Sequence, residues 1–429
     1  MGLLGLFALL ALLALRIPVA FAMFIVGFVG IALITGTGTA FNILASETYT
    51  LASSAELVVI PLFILMGNIA TVTGMSRRLY DAAYAIIGPV PGGLASATIV
   101  GCGGFAALSG SSVASALTMG KVSLAQMERF NYDSRLSTGA VAAGGTLGIL
   151  IPPSTALVIY AILTEQSIGR LFLAGVLPGL LLLLLFVAVI MIITWFRPDF
   201  GPPGPYTSGQ EKLRALSGAL PILGVVVLTI GGIYVGLFSP VEAAAVGAAL
   251  MMLLGAVMGQ LSWARLWGSA RDTIVTTATV MLILIAAHMI NPFLALSHIP
   301  EVIGNFLTGL DVSPLWVLVM ILLCYVILGC FLEGFAMLVL TMPIFFPVIV
   351  SLGMDPIWFG ILVVLALEMG LISPPVGVNV FIVKSVAPKV PITSIFAGVM
   401  PFWGAMLVAL ALVVAFPQIA LLLPETMIR

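Results

Sequence analysis

Of 429 residues, 62% are hydrophobic and only 7% are charged, whereas a water-soluble domain carries roughly a quarter charged residues. A formal charge of −1, from 15 Lys and Arg against 16 Asp and Glu, provides no basic stripe of the kind a nucleic-acid surface needs. A soluble globular fold and a nucleic-acid binder are both excluded, and the chain reads as an all-α polytopic protein of the lipid bilayer, with length for about ten to twelve crossings.

The opening run MGLLGLFALLALLAL has the apolar core of a signal peptide. It lacks a basic start and is followed by Arg16, Pro18 and further apolar sequence, so it reads as a short first helix. Apolar runs then predict spans at 2–15, 17–35, 57–73, 139–161, 171–196, 218–237, 241–260, 273–290, 357–380 and 393–417. Residues 82–118 and 314–350 are too long for one crossing and are interrupted by Gly-rich or polar tips, which predicts re-entrant hairpins. Lys and Arg concentrate in cytoplasmic loops. Arg77 and Arg78; Lys121, Arg129 and Arg135; Arg197, Lys212 and Arg214; Arg265 and Arg271; and Lys384 and Lys389 therefore mark inside segments. Segments 36–56, 291–313 and 351–356 lack Lys and Arg but hold Glu47, Glu301, Asp311 and Asp355, and are placed outside. The chain threads through these assignments only if hairpin 82–118 opens to the cytoplasm and hairpin 314–350 to the outer side.

That inversion has a counterpart in an internal repeat. GTLGILIPPS at 145–154, followed by FLAGVLPG at 172–179, reappears as MGLISPPVG at 369–377 and IFAGVMPF at 395–402. Leu117, Thr118 and Met119 recur as Leu340, Thr341 and Met342. The predicted organisation is a half at 1–196 with a broken helix at 139–161, a cytoplasmic linker at 197–217, and an inverted half at 218–429 with a broken helix at 357–380.

Two inverted-topology repeats, each with a hairpin and a discontinuous helix, are a signature of secondary transporters that bind cargo near the midplane. Gly144, Gly145 and Gly148 allow unusual backbone angles, and Pro152 and Pro153 each remove an N–H donor. The carbonyls freed there are hard ligands for Na⁺, and amides at a half-helix N-terminus attract a carboxylate. Gly370, Ser373, Pro374, Pro375 and Gly377 repeat the pattern. The tip LSGSS, with Ser109, Gly110, Ser111 and Ser112, adds hydroxyls opposite Gly145, Thr146 and Gly148 for one Na⁺ site. In the second tip Glu333 and Gly334 lie in an apolar run, where a bound cation offsets the cost of the charge. An anionic cargo is expected against Ser112, Pro152, Pro153, Ser154, Pro375 and Gly377. Asn379 fits either a cargo contact or a helix bridge, and Glu368 either a structural hydrogen bond or a cation site. Ser-Gly clusters also serve plain helix packing; their recurrence at matching shifts favours the ion-binding reading.

Other polar residues have plainer readings. Glu242, after Ser239 and Pro240, suits a helix start, His288 and His298 suit structural roles, and Cys102, Cys324 and Cys330 read as small apolar residues without C-x-x-C spacing.

The strings GSSVASALTMG (110–120), GTLGILIPPS (145–154), SIGRLFLAGVLPG (167–179), SPVEAAA (239–245) and MGLISPPVGVNVF (369–381) together resemble the large membrane subunit of tripartite ATP-independent periplasmic (TRAP) transporters. The resemblance runs from about residue 17 to 405. It implies sodium-driven uptake of an organic acid across a bacterial or archaeal cytoplasmic membrane by an elevator motion. It also implies two partners, a periplasmic binding protein that delivers the cargo and a small four-helix membrane subunit. The family's first sodium region falls on Ser109 to Ser112 with Gly145 to Gly148, and its second on Glu333 and Gly334 with Gly370 to Pro374. Ser373 stands where threonine is usual before the Pro pair, and Ser239-Pro240-Val241-Glu242 replaces a Thr-Pro-Thr-Glu run. Two other readings compete. A stand-alone sodium-coupled dicarboxylate carrier of related hairpin architecture would need no soluble partner. An intramembrane serine hydrolase using Ser109 or Ser111 with His288 lacks an evident orienting acid or oxyanion motif.

Overall fold

The computed structural model describes residues 1–15, 17–309 and 312–427. Arg16 and Asp311, used above to read the termini of spans and the outer segments, lie outside the described residues. Among the described residues all regular structure is helical. Helices α1 (Gly2–Ala14), α2 (Val19–Thr35), α3 (Thr37–Ser53), α4 (Val59–Val72) and α5 (Met75–Ile87) lead into a hairpin of α6 (Gly93–Ser109) and α7 (Ser112–Arg129). Next come α8 (Ser134–Leu150) and α9 (Thr155–Thr164), the arms of a helix interrupted at 151–154, and then α10 (Ile168–Phe196). Helices α11 (Gly209–Tyr234), α12 (Pro240–Val257), α13 (Trp263–Leu296) and α14 (Ile299–Thr308) follow the linker. A second hairpin, α15 (Pro314–Gly329) and α16 (Gly334–Ser351), precedes a second interrupted helix, α17 (Pro356–Leu371) and α18 (Val378–Val386). The chain closes with α19 (Ile392–Ala415) and α20 (Gln418–Thr426). Eight helical stretches among the described residues are long and apolar enough to span a bilayer, and shorter apolar helices accompany them.

Three boundaries differ from the sequence reading. Segment 36–56, read as an outer loop, holds α3, whose mixed polar composition hides it from a hydropathy window although it packs on α2 and α13. The first hairpin covers 93–129 rather than 82–118. The preceding stretch is the separate amphipathic helix α5, which buries Met75, Leu79, Tyr80 and Ala83 and carries Arg77, Arg78 and Asp81. The second arm also continues past the apolar run through Lys121 and Glu128. The linker is shorter than 197–217 because α11 starts at Gly209, where Ser208 and Glu211 form a reciprocal cap.

Helix α17 shows why this sequence places one element at the centre. PIWFGILVVLALEMGL is apolar on every face except at Glu368, and a helix apolar all round must be enclosed by protein or lipid. Every residue from Ile357 to Leu371 is buried. Its start is set by Asp355, whose carboxylate accepts the N–H groups of Ile357 and Trp358 at 2.8 and 2.9 Å, ahead of Pro356 in the first turn. Helix α8 is enclosed likewise, from Leu136 to Leu150, but by smallness: its run GAVAAGG lets α6, α7 and α19 approach closely. Around these two lie α2, α3, α4, α12 and α13, which pack on one another and meet the central group through α4 against α6 and α13 against α16. Glu242 caps α12 with Ser239, accepting its N–H at 2.8 Å, in keeping with the helix-start reading.

Candidate functional site

The first tip is docked on the first break. Gly110 takes φ +59°, a left-handed conformation that glycine tolerates without strain, and a Cβ there would meet the Pro153 carbonyl oxygen at 2.7 Å. Thr155 donates its hydroxyl to the Gly110 carbonyl at 2.9 Å, tying tip to break. Gly148 faces the Ser111 carbonyl, and Gly67 of α4 faces the backbone of Leu108 and Ser109, so the tip is gripped from both sides. Ser109 and Ser115 hydroxyls lie 3.0 Å apart. Ser111 caps α7 by accepting the Ala114 N–H, and Ser154 caps α9 by accepting the Leu157 N–H at 3.2 Å. Thr146 donates to the Ala143 carbonyl at 2.6 Å. Ser109, Gly110, Ser111, Ser112, Gly145, Gly148, Pro152, Pro153 and Ser154 therefore share one neighbourhood.

The second tip is arranged differently. Gly329 and Gly370 meet backbone to backbone, so α15 crosses the end of α17 with no side chain between them. Ser373 donates to the Met369 carbonyl at 2.6 Å and accepts the Trp403 indole N–H at 2.9 Å. Glu333 starts α16 without capping it, and its side chain is exposed. Pro374 and Pro375 are exposed as well, while Pro152 and Pro153 are buried. Gly334 packs on the Leu367 side chain, and Gly377 takes φ +61° ahead of α18. The first break is thus covered, and the second opens to the surface.

Asn379 and Glu368 carry the second half toward the first tip. Ser112 donates to Glu368 Oε1 at 2.7 Å. Asn379 Nδ2 donates to the Ala142 carbonyl at 3.5 Å, the helix bridge anticipated as one of its two roles.

A cavity of about 130 Å³ opens beside the first tip. Ser109, Ser111 and Thr155 line it from the tip and break; Asn68, Thr71 and Thr276 line it from α4 and α13; Phe335 of the second hairpin borders it. Asn68 is held by donating to Thr273 Oγ1 at 3.0 Å. The lining offers hydroxyls and an amide with no basic residue. Its oxygens suit a hard cation rather than a soft transition metal, and its hydroxyl and amide protons suit a carboxylate. Sequence reasoning missed Asn68, Thr71 and Thr276. The available signal was polarity inside the apolar runs 57–73 and 273–290. A larger cavity of about 620 Å³ follows α7 and α8, with Lys121, Ser137, Thr138 and Lys389 among its lining.

The serine hydrolase arrangement is not formed. His288 pairs with Glu47 of α3 at 2.8 Å, and Ser109 and Ser111 bond within their own hairpin. His298 pairs with Glu301 at 3.0 Å.

Helical hairpins seated on interrupted helices, enclosed in an apolar helical bundle, define a multi-pass membrane transporter. The chain belongs to the family described as the tripartite ATP-independent periplasmic transporter, DctM component, which it matches over residues 6–419. It is 38% identical over 383 residues to the C4-dicarboxylate TRAP transporter large permease protein DctM of Pseudomonas aeruginosa, with 89% of each chain covered. It is 32% identical over 424 residues to the sialic acid TRAP transporter large permease protein SiaM of Vibrio cholerae, with 98% of each covered. The crystal structure of the Alcanivorax borkumensis YdaH transporter shares the fold, with a TM-score of 0.66 at 15% identity and 88% of each chain covered. The chain is a transport protein and not an enzyme.

Proposed function

We propose that this chain is the membrane pathway for a small organic acid anion, driven inward by a sodium gradient across a bacterial or archaeal cytoplasmic membrane. The observation that carries this reading is the 130 Å³ cavity at the first tip, bounded by hydroxyls and an amide. A cavity of about 150 Å³ holds a benzene-sized ligand, so the size favours an acid of few carbons, such as the C4-dicarboxylates named for the Pseudomonas relative, over a sugar acid such as the sialic acid named for the Vibrio one. With no Lys or Arg in that lining, the carboxylate is met by hydroxyls, backbone dipoles and sodium. Sodium sits at Ser109, Ser111 and the Gly145 to Gly148 backbone, and a second ion at Gly370, Ser373 and the Glu333 tip once that tip closes over the exposed second break. The two halves lie upside down to each other, as the basic residues and the repeat imply.

The cavity lies where the central helices meet α4 and α13, the place where an elevator motion of one group against the other would carry cargo across. Lys121 and Lys389 in the larger cavity then attract the anion on the cytoplasmic side. The family's tripartite description supports two partners, a periplasmic binding protein and a small membrane subunit.

Reconstituted proteoliposomes test this. Uptake of a labelled four-carbon acid should require an inward Na⁺ gradient, the small subunit and the binding protein together. Uptake unaffected by replacing Na⁺ with choline, or by omitting the binding protein, would contradict the reading.

A further inference from the structure

Glu368 is the one fully buried charged residue among the described residues, and no basic side chain pairs with it. An ionised acid at such a site is costly and marks an ion or proton position unless something neutralises it. Its Oε1 accepts the Ser112 hydroxyl, but its Oε2 has no partner. Asn379 repeats the pattern: Nδ2 is directed to the Ala142 carbonyl, and the buried Oδ1 has no partner. One glycine brings Ser112 and Asn379 together. A Cβ on Gly145 would lie 3.1 Å from the Ser112 carbonyl oxygen and 3.3 Å from Asn379 Nδ2. Ser112 therefore lies with Asn379 of α18 beside the bare backbone of α8 and reaches Glu368 of α17 through its hydroxyl.

We propose that Glu368, Asn379 and Ser112 form a carboxylate-bearing sodium site at the junction of the two halves. Each of the three has acceptor capacity that no donor fills. The single hydroxyl proton of Ser112 is committed to Oε1, which leaves its lone pairs open, and the remaining oxygens are orphaned acceptors. A proton on Oε2 would serve one further acceptor, whereas a cation serves every oxygen at once. One carboxylate among neutral oxygens balances a monovalent ion; calcium gathers six to eight oxygen ligands, commonly with several carboxylates. The bound ion joins α7 of the first half to α17 and α18 of the second, so its loading fixes the first tip against the second broken helix. The site rests on the sodium-coupling reading above.

Equilibrium ²²Na⁺ binding to the full membrane complex in nanodiscs tests the site with wild type, Glu368→Gln and Glu368→Asp. Glu368→Gln keeps an acceptor for Ser112 and removes the charge. It should bind one Na⁺ fewer per chain, with affinity at the other sites within about threefold of wild type because their oxygens are untouched. Its thermal midpoint without Na⁺ should match wild type, and the rise on adding Na⁺ should shrink. Glu368→Asp should keep the wild-type stoichiometry at lower affinity. A glutamine variant with wild-type stoichiometry would overturn the proposal, since that side chain mimics a permanently protonated acid. If the glutamine variant does not fold, the aspartate variant decides, and an unchanged Na⁺ affinity overturns it. Wild type that binds no Na⁺ would overturn the coupling reading and this site with it, a result distinct from sodium binding that ignores residue 368.

Discussion

Gly148→Ala is expected to lower sodium-driven uptake by about 100-fold while the chain still inserts and folds. The added methyl would sit 2.5 Å from the Ser111 carbonyl oxygen, 2.7 Å from its carbon and 2.7 Å from Ser115 Oγ. Two of these atoms are backbone, so no rotamer change relieves the clash, and the first tip must lift from α8. Overpacking of this kind costs about 1–3 kcal/mol, and at roughly 1.4 kcal/mol per tenfold the upper end accounts for the expected fall. Because the end of α8 and Ser109 to Ser112 lose their mutual placement, the Na⁺ concentration for half-maximal uptake should rise in the same variant. Initial-rate uptake in proteoliposomes measures both. Gly404→Ala is the control: nothing lies within 4 Å of its Cβ position, and its rate should stay within about twofold of wild type. Equal rates for Gly148→Ala and wild type would mean that the tip is not seated on the break during transport.

Gly398→Leu should instead act on stability. Helices α8 and α19 touch backbone to backbone, because a Cβ on Gly398 would strike the Arg135 backbone and a Cβ on Gly139 would strike Gly398 itself. Small residues allow this close approach, and packing between helices is a main source of association inside a bilayer. A leucine side chain forces the helices apart and loosens α8, the enclosed element that carries Gly145 and Gly148. The cost should be about 3 kcal/mol or more, seen as a lower unfolding midpoint in detergent and a smaller yield of monodisperse protein. Leucine at 404, on the open side of the same helix, should leave the midpoint unchanged. A Gly398→Leu protein as stable as wild type would contradict the crossing.

The interruptions and tips were legible because they are written in local chemistry. Proline pairs cannot continue a helix, and the recurrence of ILIPPS as LISPPV drew attention to both breaks at once. Helix α3 was not legible, since segment 36–56 has no long apolar run and its helix depends on packing against α2 and α13. The merging of α5 with the first hairpin came from reading apolar runs where only an amphipathic face separates the elements. The cavity walls Asn68, Thr71 and Thr276 escaped because single polar residues in apolar spans are common and only the fold aims these three at one tip. Glu368 stood out as an acid in an apolar run, but its partner Ser112 lies in the other half, and no local pattern pairs them. The second tip shows the opposite limit. Glu333, Gly370 and Ser373 were grouped by the repeat, yet Ser373 bonds Met369 and Trp403 while Glu333 stays exposed, so the symmetry of the sequence is not matched by equal closure of the two tips.

The most direct test of the account is a pair of electron cryo-microscopy maps of the membrane complex, one in saturating Na⁺ with the cargo acid and one in choline. The account predicts density in the sodium map, absent from the choline map, between the Ser109 to Ser112 tip and the backbone at Gly145 to Gly148, with a second feature in the neighbouring cavity beside Asn68 and Thr276. Identical maps with nothing bound at either break, from protein that transports the same acid, would contradict it.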